Sequence, residues 1–187
     1  MRLFVALEIP AAVRDNLATL IKDLCTADPK PRWVRPENLH VTLKFIGEAP
    51  PDKLDAIRGA FSAVRSEQPV ELHFRGLGFF PNEKHPRVLW ANMDASPNVK
   101  SLAGDVDCAL EILGFLREQR PFTPHLTLAR FPSPRILEKL RTAIQKNNAR
   151  EFGSLRTNEF HLIESKLKPP GAEYARIASF PFAAAEA

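Results

Sequence analysis

One four-residue pattern occurs twice in this chain, as His40-Val41-Thr42-Leu43 and as His125-Leu126-Thr127-Leu128. Each copy lies in a short run of apolar and β-branched residues bounded by prolines and polar residues, so each predicts a strand. Side chains alternate along a strand, so the histidine and the threonine of each copy share a face. Leu39, Val41 and Leu43 then pack on the opposite face, as do Leu126 and Leu128. The chain holds five histidines, and two of them open the same pattern. A device repeated in this way points to a shared chemical task rather than to packing.

The rest of the chain can be placed around these strands. Residues 3–9 predict a strand. A helix follows Pro10, with Val13, Leu17, Leu20, Ile21 and Leu24 at helical spacing. Residues 30–36, with Arg32, Trp33 and Arg35 between prolines, predict an edge strand or loop. Pro50-Pro51 starts a second helix carrying Leu54, Ile57, Phe61 and Val64. A strand over 70–74 turns Leu72 and Phe74 inward and Glu71, His73 and Arg75 outward. Residues 76–81 predict a glycine-aromatic turn, and 87–93 another strand. Ser96-Pro97 caps a third helix with Val99, Leu102, Val106, Leu110 and Leu113 inward, and Gly114 closes it. Ser133-Pro134 opens a fourth helix, with Ile136, Leu137, Leu140 and Ile144 inward. Residues 152–164 contain a long strand, 174–180 a final one, and 183–187 a frayed end.

Each histidine strand is thus followed within ten residues by a proline-started helix, which predicts an internal duplication. Two such units related by a pseudo-twofold axis would face their His-x-Thr surfaces across one cleft. The expected fold is α+β and bilobal, with duplicated antiparallel sheets and helices outside. At 187 residues, one domain is expected, with lobes at roughly 1–95 and 96–187 and room for some exchange of strands.

Composition narrows the function classes. A net charge of +4 suits an anionic ligand without demanding one. Cys25 and Cys108 fall inside predicted helices with no metal-ligand spacing, which fits a reducing cytoplasm. The first ten residues are not expected to act as a signal peptide, because Glu8 and Pro10 cut the apolar run. No run approaches the ~18 apolar residues of a membrane span. There is no glycine-rich phosphate loop.

Imidazole, with an ordinary pKa of ~6.5, can serve as base or acid near neutrality. A pair of histidines suits in-line phosphoryl transfer. One removes the proton of the attacking water while the other protonates the leaving oxygen. Thr42 and Thr127 can donate their hydroxyls to non-bridging phosphate oxygens. Arg130 is the candidate cation for transition-state charge. Strict alternation, however, points Arg130 to the Leu126 face, so it needs a bulge or twist to reach a phosphate. Two histidines also suit zinc, but neither strand supplies a third ligand. His73, His85 and His161 are expected at the surface or behind the site. Phe79 and Phe80 are expected in the core or at the rim, and Trp33 can go either way.

The paired motifs resemble those of the 2H phosphoesterase superfamily. The closer likeness is to its RNA 2′,3′-cyclic phosphodiesterases, also called 2′-5′ RNA ligases (LigT/ThpR type). It extends over nearly the whole chain: residues 2–7, 32–47, 79–81, 86–90, 120–130, 164–165 and 171–174 all take part. The resemblance implies a bilobal fold with a central cleft, no cofactor and no metal. It implies hydrolysis of a terminal 2′,3′-cyclic phosphate to a 2′-phosphomonoester. It assigns His40 as proton donor to O3′, His125 as proton acceptor from water, and Thr42, Thr127 and Arg130 as phosphate ligands. The expected partner is an RNA with a cyclic phosphate end or a small cyclic nucleotide. No membrane and no obligate protein partner are expected, and the chain is read as a monomer. The nearly symmetric motifs do not themselves say which histidine is acid. Two other functions remain open at this point: 2′-5′ RNA ligation in the same site, and a nucleotide- or RNA-binding module without turnover.

Overall fold

The structure, a computed structural model, describes residues 1–184; residues 185–187 of the expected frayed end lie outside the described residues. The described residues contain nine strands and four α-helices. They are β1 (Arg2–Glu8), α1 (Ala11–Ala27), β2 (Arg32–Trp33), β3 (His40–Glu48), α2 (Leu54–Phe61), β4 (Val70–Phe80), β5 (Val88–Ala95), α3 (Asn98–Glu111), β6 (Leu126–Arg130), α4 (Glu138–Lys146), β7 (Glu151–Thr157), β8 (Glu159–Lys168) and β9 (Gly171–Pro181). None of these helices is long and apolar enough to cross a membrane.

Two antiparallel sheets form, in the orders β3-β1-β8-β9 and β2-β6-β5-β4-β7. Set side by side, β3, β1, β8 and β9 of one sheet correspond to β6, β5, β4 and β7 of the other, and β2 is an added edge. The chain path repeats as well, because β1-α1-β3-α2 is followed later by β5-α3-β6-α4. This is the expected α+β duplication. The lobes are nevertheless interleaved: each sheet takes strands from both sides of residue 95, and β8 and β9 join β1 and β3.

The helices cover the outer faces. In α1 the residues Val13, Leu17, Leu20, Ile21 and Leu24 are buried at the predicted spacing, against β7 and α4. Leu3, Val5 and Leu7 of β1 and Val41 and Leu43 of β3 point into the same core. Phe4, Ala6 and Ile163 form a separate small cluster. They lie on the opposite face of their strands, where Phe4 packs against the rings of His40, Phe45 and Tyr174.

Four local expectations are corrected. Residues 76–81 do not turn. β4 runs through to Phe80, and Gly76, at φ 76°, takes a register shift between Phe74 and Leu77 instead. Ser96 does not cap α3, because its hydroxyl accepts from the Glu71 amide and donates to Asn98 Oδ1. Ser133-Pro134 does not open α4: Ser133 Oγ accepts from the Arg135 amide in a separate turn, and the helix begins at Glu138. The strand expected over 152–164 is two strands, β7 and β8, parted at Asn158 where the chain crosses from one sheet to the other. The Gly114 closure of α3 holds, with φ 87° and bonds from Gly114 N to Glu111 O and from Phe115 N to Leu110 O.

Candidate active site

β3 and β6, the two histidine strands, lie against each other where the sheets meet. Both carry the same irregularity. In β3 the pairing with β1 skips Leu43, because Val5 faces Lys44 and Ala6 faces Thr42. In β6 the pairing with β5 skips Leu128, because Leu89 faces Ala129 and Trp90 faces Thr127. Each skip is a β-bulge that resets the alternation. Two consecutive residues are therefore buried, Leu43-Lys44 and Leu128-Ala129, and the next residue comes out on the His-x-Thr face. In β6 that residue is Arg130, and in β3 it is Phe45.

A cavity of about 360 Å³ opens here, lined among others by Thr42, Phe45, His125, Thr127 and Arg130. Arg130 thus reaches the His125 face by the bulge that simple alternation does not foresee. His40 adjoins the cavity through Thr42, whose Oγ1 lies 3.0 Å from His40 Nε2. The charge of His125 is felt at His40. Val88 and Trp90 of β5 line the same space, as do residues of the loop that leads to His125, among them Glu118, Arg120 and Phe122.

The two imidazoles are held alike. His40 Nδ1 lies 2.6 Å from the Asn38 carbonyl, and His125 Nδ1 lies 2.9 Å from the Thr123 carbonyl. A carbonyl only accepts, so Nδ1 is the donor in both rings and Nε2 is the nitrogen that exchanges a proton. Each ring also rests on aromatics. His40 lies 4.7 Å from the Phe4 ring and 5.3 Å from that of Tyr174, and His125 lies 5.4 Å from Trp90, edge to face.

Burial pulls the pKa of His40 down. The bond to the Asn38 carbonyl opposes this, the positive charge of His125 adds to it, and Glu8 opposes it weakly. Burial likewise raises Tyr174, with Arg130 and Arg2 acting in the other direction.

Lys44 could not be foreseen as a site neighbour. It is 7% exposed, its Nζ lies 2.6 Å from Asp107 Oδ1 of α3, and it donates to the Leu116 carbonyl at 2.8 Å. Asp107 in turn accepts from the Glu118 amide. A buried ion pair thereby ties the first histidine strand to the loop that walls the cavity and leads to the second.

The other expectations divide. His85 is exposed, and His73 is partly exposed, bonded to Ser154 and facing Glu151. His161 is not at the surface: it is 4% exposed, with Nδ1 2.9 Å from Ser179 Oγ. β8 is a central strand buried on both faces, which is why alternation did not place it. Phe79 packs against Phe131, while Phe80 is exposed and lines the cavity. Trp33 packs on the core and its indole N–H donates to the Asp28 carbonyl at 3.0 Å. Among the described residues, no group of three or more His, Cys, Asp or Glu side chains could hold a metal ion. Phe45 and Trp90 were not foreseen as lining residues, although aligning the two motifs puts Phe45 opposite Arg130.

A duplicated α+β fold with two His-x-Thr strands across one cleft defines a two-histidine phosphoesterase class. The match to the family model described as "2'-5' RNA ligase superfamily" covers residues 10–169, and the chain belongs to that family. It is 34% identical to the RNA 2',3'-cyclic phosphodiesterase of Methanothermobacter thermautotrophicus, over 96% of this chain and 98% of that one. It is 35% identical to the protein of that name from Thermus thermophilus, over 96% of this chain and 89% of the other. Among solved structures, the TT0787 protein of Thermus thermophilus superposes with a TM-score of 0.77 at 31% identity, covering 97% and 98% of the two chains. The E. coli LigT structure complexed with 3'-AMP gives a TM-score of 0.77 at 26% identity and covers 97% of each chain.

Proposed function

We propose that this protein hydrolyses the 2′,3′-cyclic phosphate at the end of an RNA to a 2′-phosphomonoester, with His40 and His125 as acid and base and no metal. The reading rests above all on one feature. Two imidazoles are fixed by the same carbonyl contact: His125 lines a cavity that Thr42, Thr127 and Arg130 also face, and His40 adjoins it with Nε2 3.0 Å from Thr42 Oγ1. Pure binding has no need of a matched titratable pair. The names of the relatives point to the same substrate.

In this scheme His125 Nε2 takes a proton from water as the water oxygen attacks phosphorus. The P–O3′ bond breaks on the far side, and His40 Nε2–H protonates O3′. The product carries a 2′-phosphate and a free 3′-hydroxyl. Thr42, Thr127 and Arg130 hold the non-bridging oxygens, and Arg130 offsets the charge that grows on them. The five-membered ring is primed for in-line opening, so orientation supplies much of the rate. Burial favours a neutral His40, and the anionic substrate supplies the opposing field that protonates it for its role as acid. Substrates are RNA by construction, since no such ring forms without a 2′-hydroxyl.

The proposal extends to a cytoplasmic monomer, built as one domain of two interleaved lobes. The test is product analysis on an oligoribonucleotide with a 2′,3′-cyclic phosphate end, supplied with a second RNA bearing a 5′-hydroxyl. Hydrolysis predicts a 2′-phosphate end on the first strand. Accumulation of a 2′-5′ joined product would make ligation the activity of this site. Binding of a 2′-nucleotide without turnover of either kind would make the protein a binding module.

A further inference from the structure

Arg32, on the edge strand β2, pairs directly with Arg130 of β6. Directly opposed residues of an antiparallel pair project from the same face, with Cβ atoms about 4.5–5.5 Å apart. Arg130 faces the cavity. Its neighbour across the strand therefore faces the same side, just outside the cavity mouth. The orientation of β2 agrees, because Trp33, next along the strand, packs on the core.

Like charges placed directly opposite disfavour a strand pair. Among the described residues nothing relieves this one: neither Arg32 nor Arg130 meets a carboxylate or a hydrogen-bond acceptor. By contrast Arg117, Arg120, Arg141 and Arg176 each face a carboxylate. Two unneutralised guanidiniums side by side, one inside the cavity and one at its lip, are suited to two neighbouring anions.

We propose that Arg32 binds the phosphodiester immediately 5′ of the terminal nucleotide while Arg130 binds the terminal phosphate. The proposal rests on the cyclic phosphate reading above and narrows its substrate class to polynucleotide ends. The chemistry fixes which anion this is. Both the 2′- and 3′-oxygens of the last nucleotide are committed to the ring, so the chain continues only through the 5′-oxygen. A free nucleoside 2′,3′-cyclic phosphate has one phosphate and cannot occupy both arginines. Arg32 is thus a specificity residue, displaced from the reacting atoms by one further strand, a spacing of about 4.8 Å.

The test compares a short oligoribonucleotide ending in a 2′,3′-cyclic phosphate with adenosine 2′,3′-cyclic phosphate. Wild type, Arg32→Ala, Arg32→Lys and Lys22→Ala are measured, the last removing an exposed charge on α1. The ratio of kcat/KM for oligonucleotide over nucleotide should fall ~10-fold in Arg32→Ala, the loss of one charge-assisted contact. It should recover in part in Arg32→Lys and hold in Lys22→Ala. The salt dependence of oligonucleotide affinity should become shallower by about 0.7 in log–log slope. Equal losses on both substrates, or an unchanged ratio, would overturn the proposal. Affinities for 2′-phosphorylated oligonucleotide and adenosine 2′-monophosphate, taken alongside, give the same comparison without turnover. If wild type turned over neither substrate, the hydrolase reading would fall, and these affinities alone would decide the role of Arg32.

Discussion

Phe45 and Arg130 occupy the same position in two copies of one bulged strand. Each stands three residues beyond a motif threonine, each follows two consecutive buried residues, and both line one cavity. The duplication therefore gives the cleft one apolar wall and one cationic wall. This difference breaks the symmetry of the two histidine motifs, so a phosphate in the cleft has a preferred side.

The cationic side should carry transition-state stabilisation. Arg130→Ala is expected to lower kcat by ~10²–10³-fold, the range found when one preorganised donor is lost. Arg130→Lys should recover only a small part, because a point charge lacks the planar fork of the guanidinium. Steady-state kinetics on a cyclic nucleotide checks this, and a lysine variant as active as wild type would count against it.

The buried pair of Lys44 and Asp107 makes a stability prediction. Asp107→Leu leaves the buried Lys44 ammonium without a carboxylate and should cost roughly 3–5 kcal/mol in urea unfolding. Lys44→Met should cost less, because Arg117 stays 3.6 Å from Asp107 Oδ2. The double replacement should be far milder than the sum, since the two residues are in direct contact. Additive losses would mean that the pair is not coupled.

Gly78 makes a packing prediction. A Cβ there would come within 2.7 Å of Trp90 Nε1, and Trp90 stands edge-on to His125. Gly78→Ala should therefore shift the indole and lower kcat by about tenfold through His125. Trp90→Phe in the same chain should restore part of the loss, because the smaller ring clears the new methyl. Near-ultraviolet circular dichroism would follow the indole directly.

His40 and His161 predict the acid side of the stability curve. Burial lowers the pKa of both. Each is therefore neutral in the native state at a pH where the unfolded chain, with an ordinary pKa of ~6.5, already binds a proton. Their contribution is full above about pH 6.5 and is lost as the pH falls toward the lowered native values. The double replacement by asparagine should flatten the fall in Tm between about pH 7 and 5 relative to wild type. Parallel curves would show that neither histidine is linked to folding.

Much of this was legible in the chain because it follows from period and pattern. The α1 stripe, the leucines behind each histidine and the duplication itself can all be read from spacing. What could not be read depends on other strands. Alternation alone sends Arg130 to the core face, and only the mismatch between β6 and β5 brings it out. The run through 151–168 carries no glycine or proline at Asn158, so its division between two sheets is a matter of what lies on either side. Gly76 and Gly78 look like a turn, but one accommodates a bulge and the other leaves room for an indole. Lys44 reads as a surface lysine until Asp107 arrives from a helix far along the chain.

The most direct test of the two-histidine account is turnover of adenosine 2′,3′-cyclic phosphate in excess EDTA by wild type, His40→Ala and His125→Ala. The account predicts adenosine 2′-monophosphate from wild type at an undiminished rate. It predicts a loss of ~10²–10⁴-fold in each variant, with both still folded. A rate that disappears with the chelator, or a variant that keeps wild-type turnover, would contradict it.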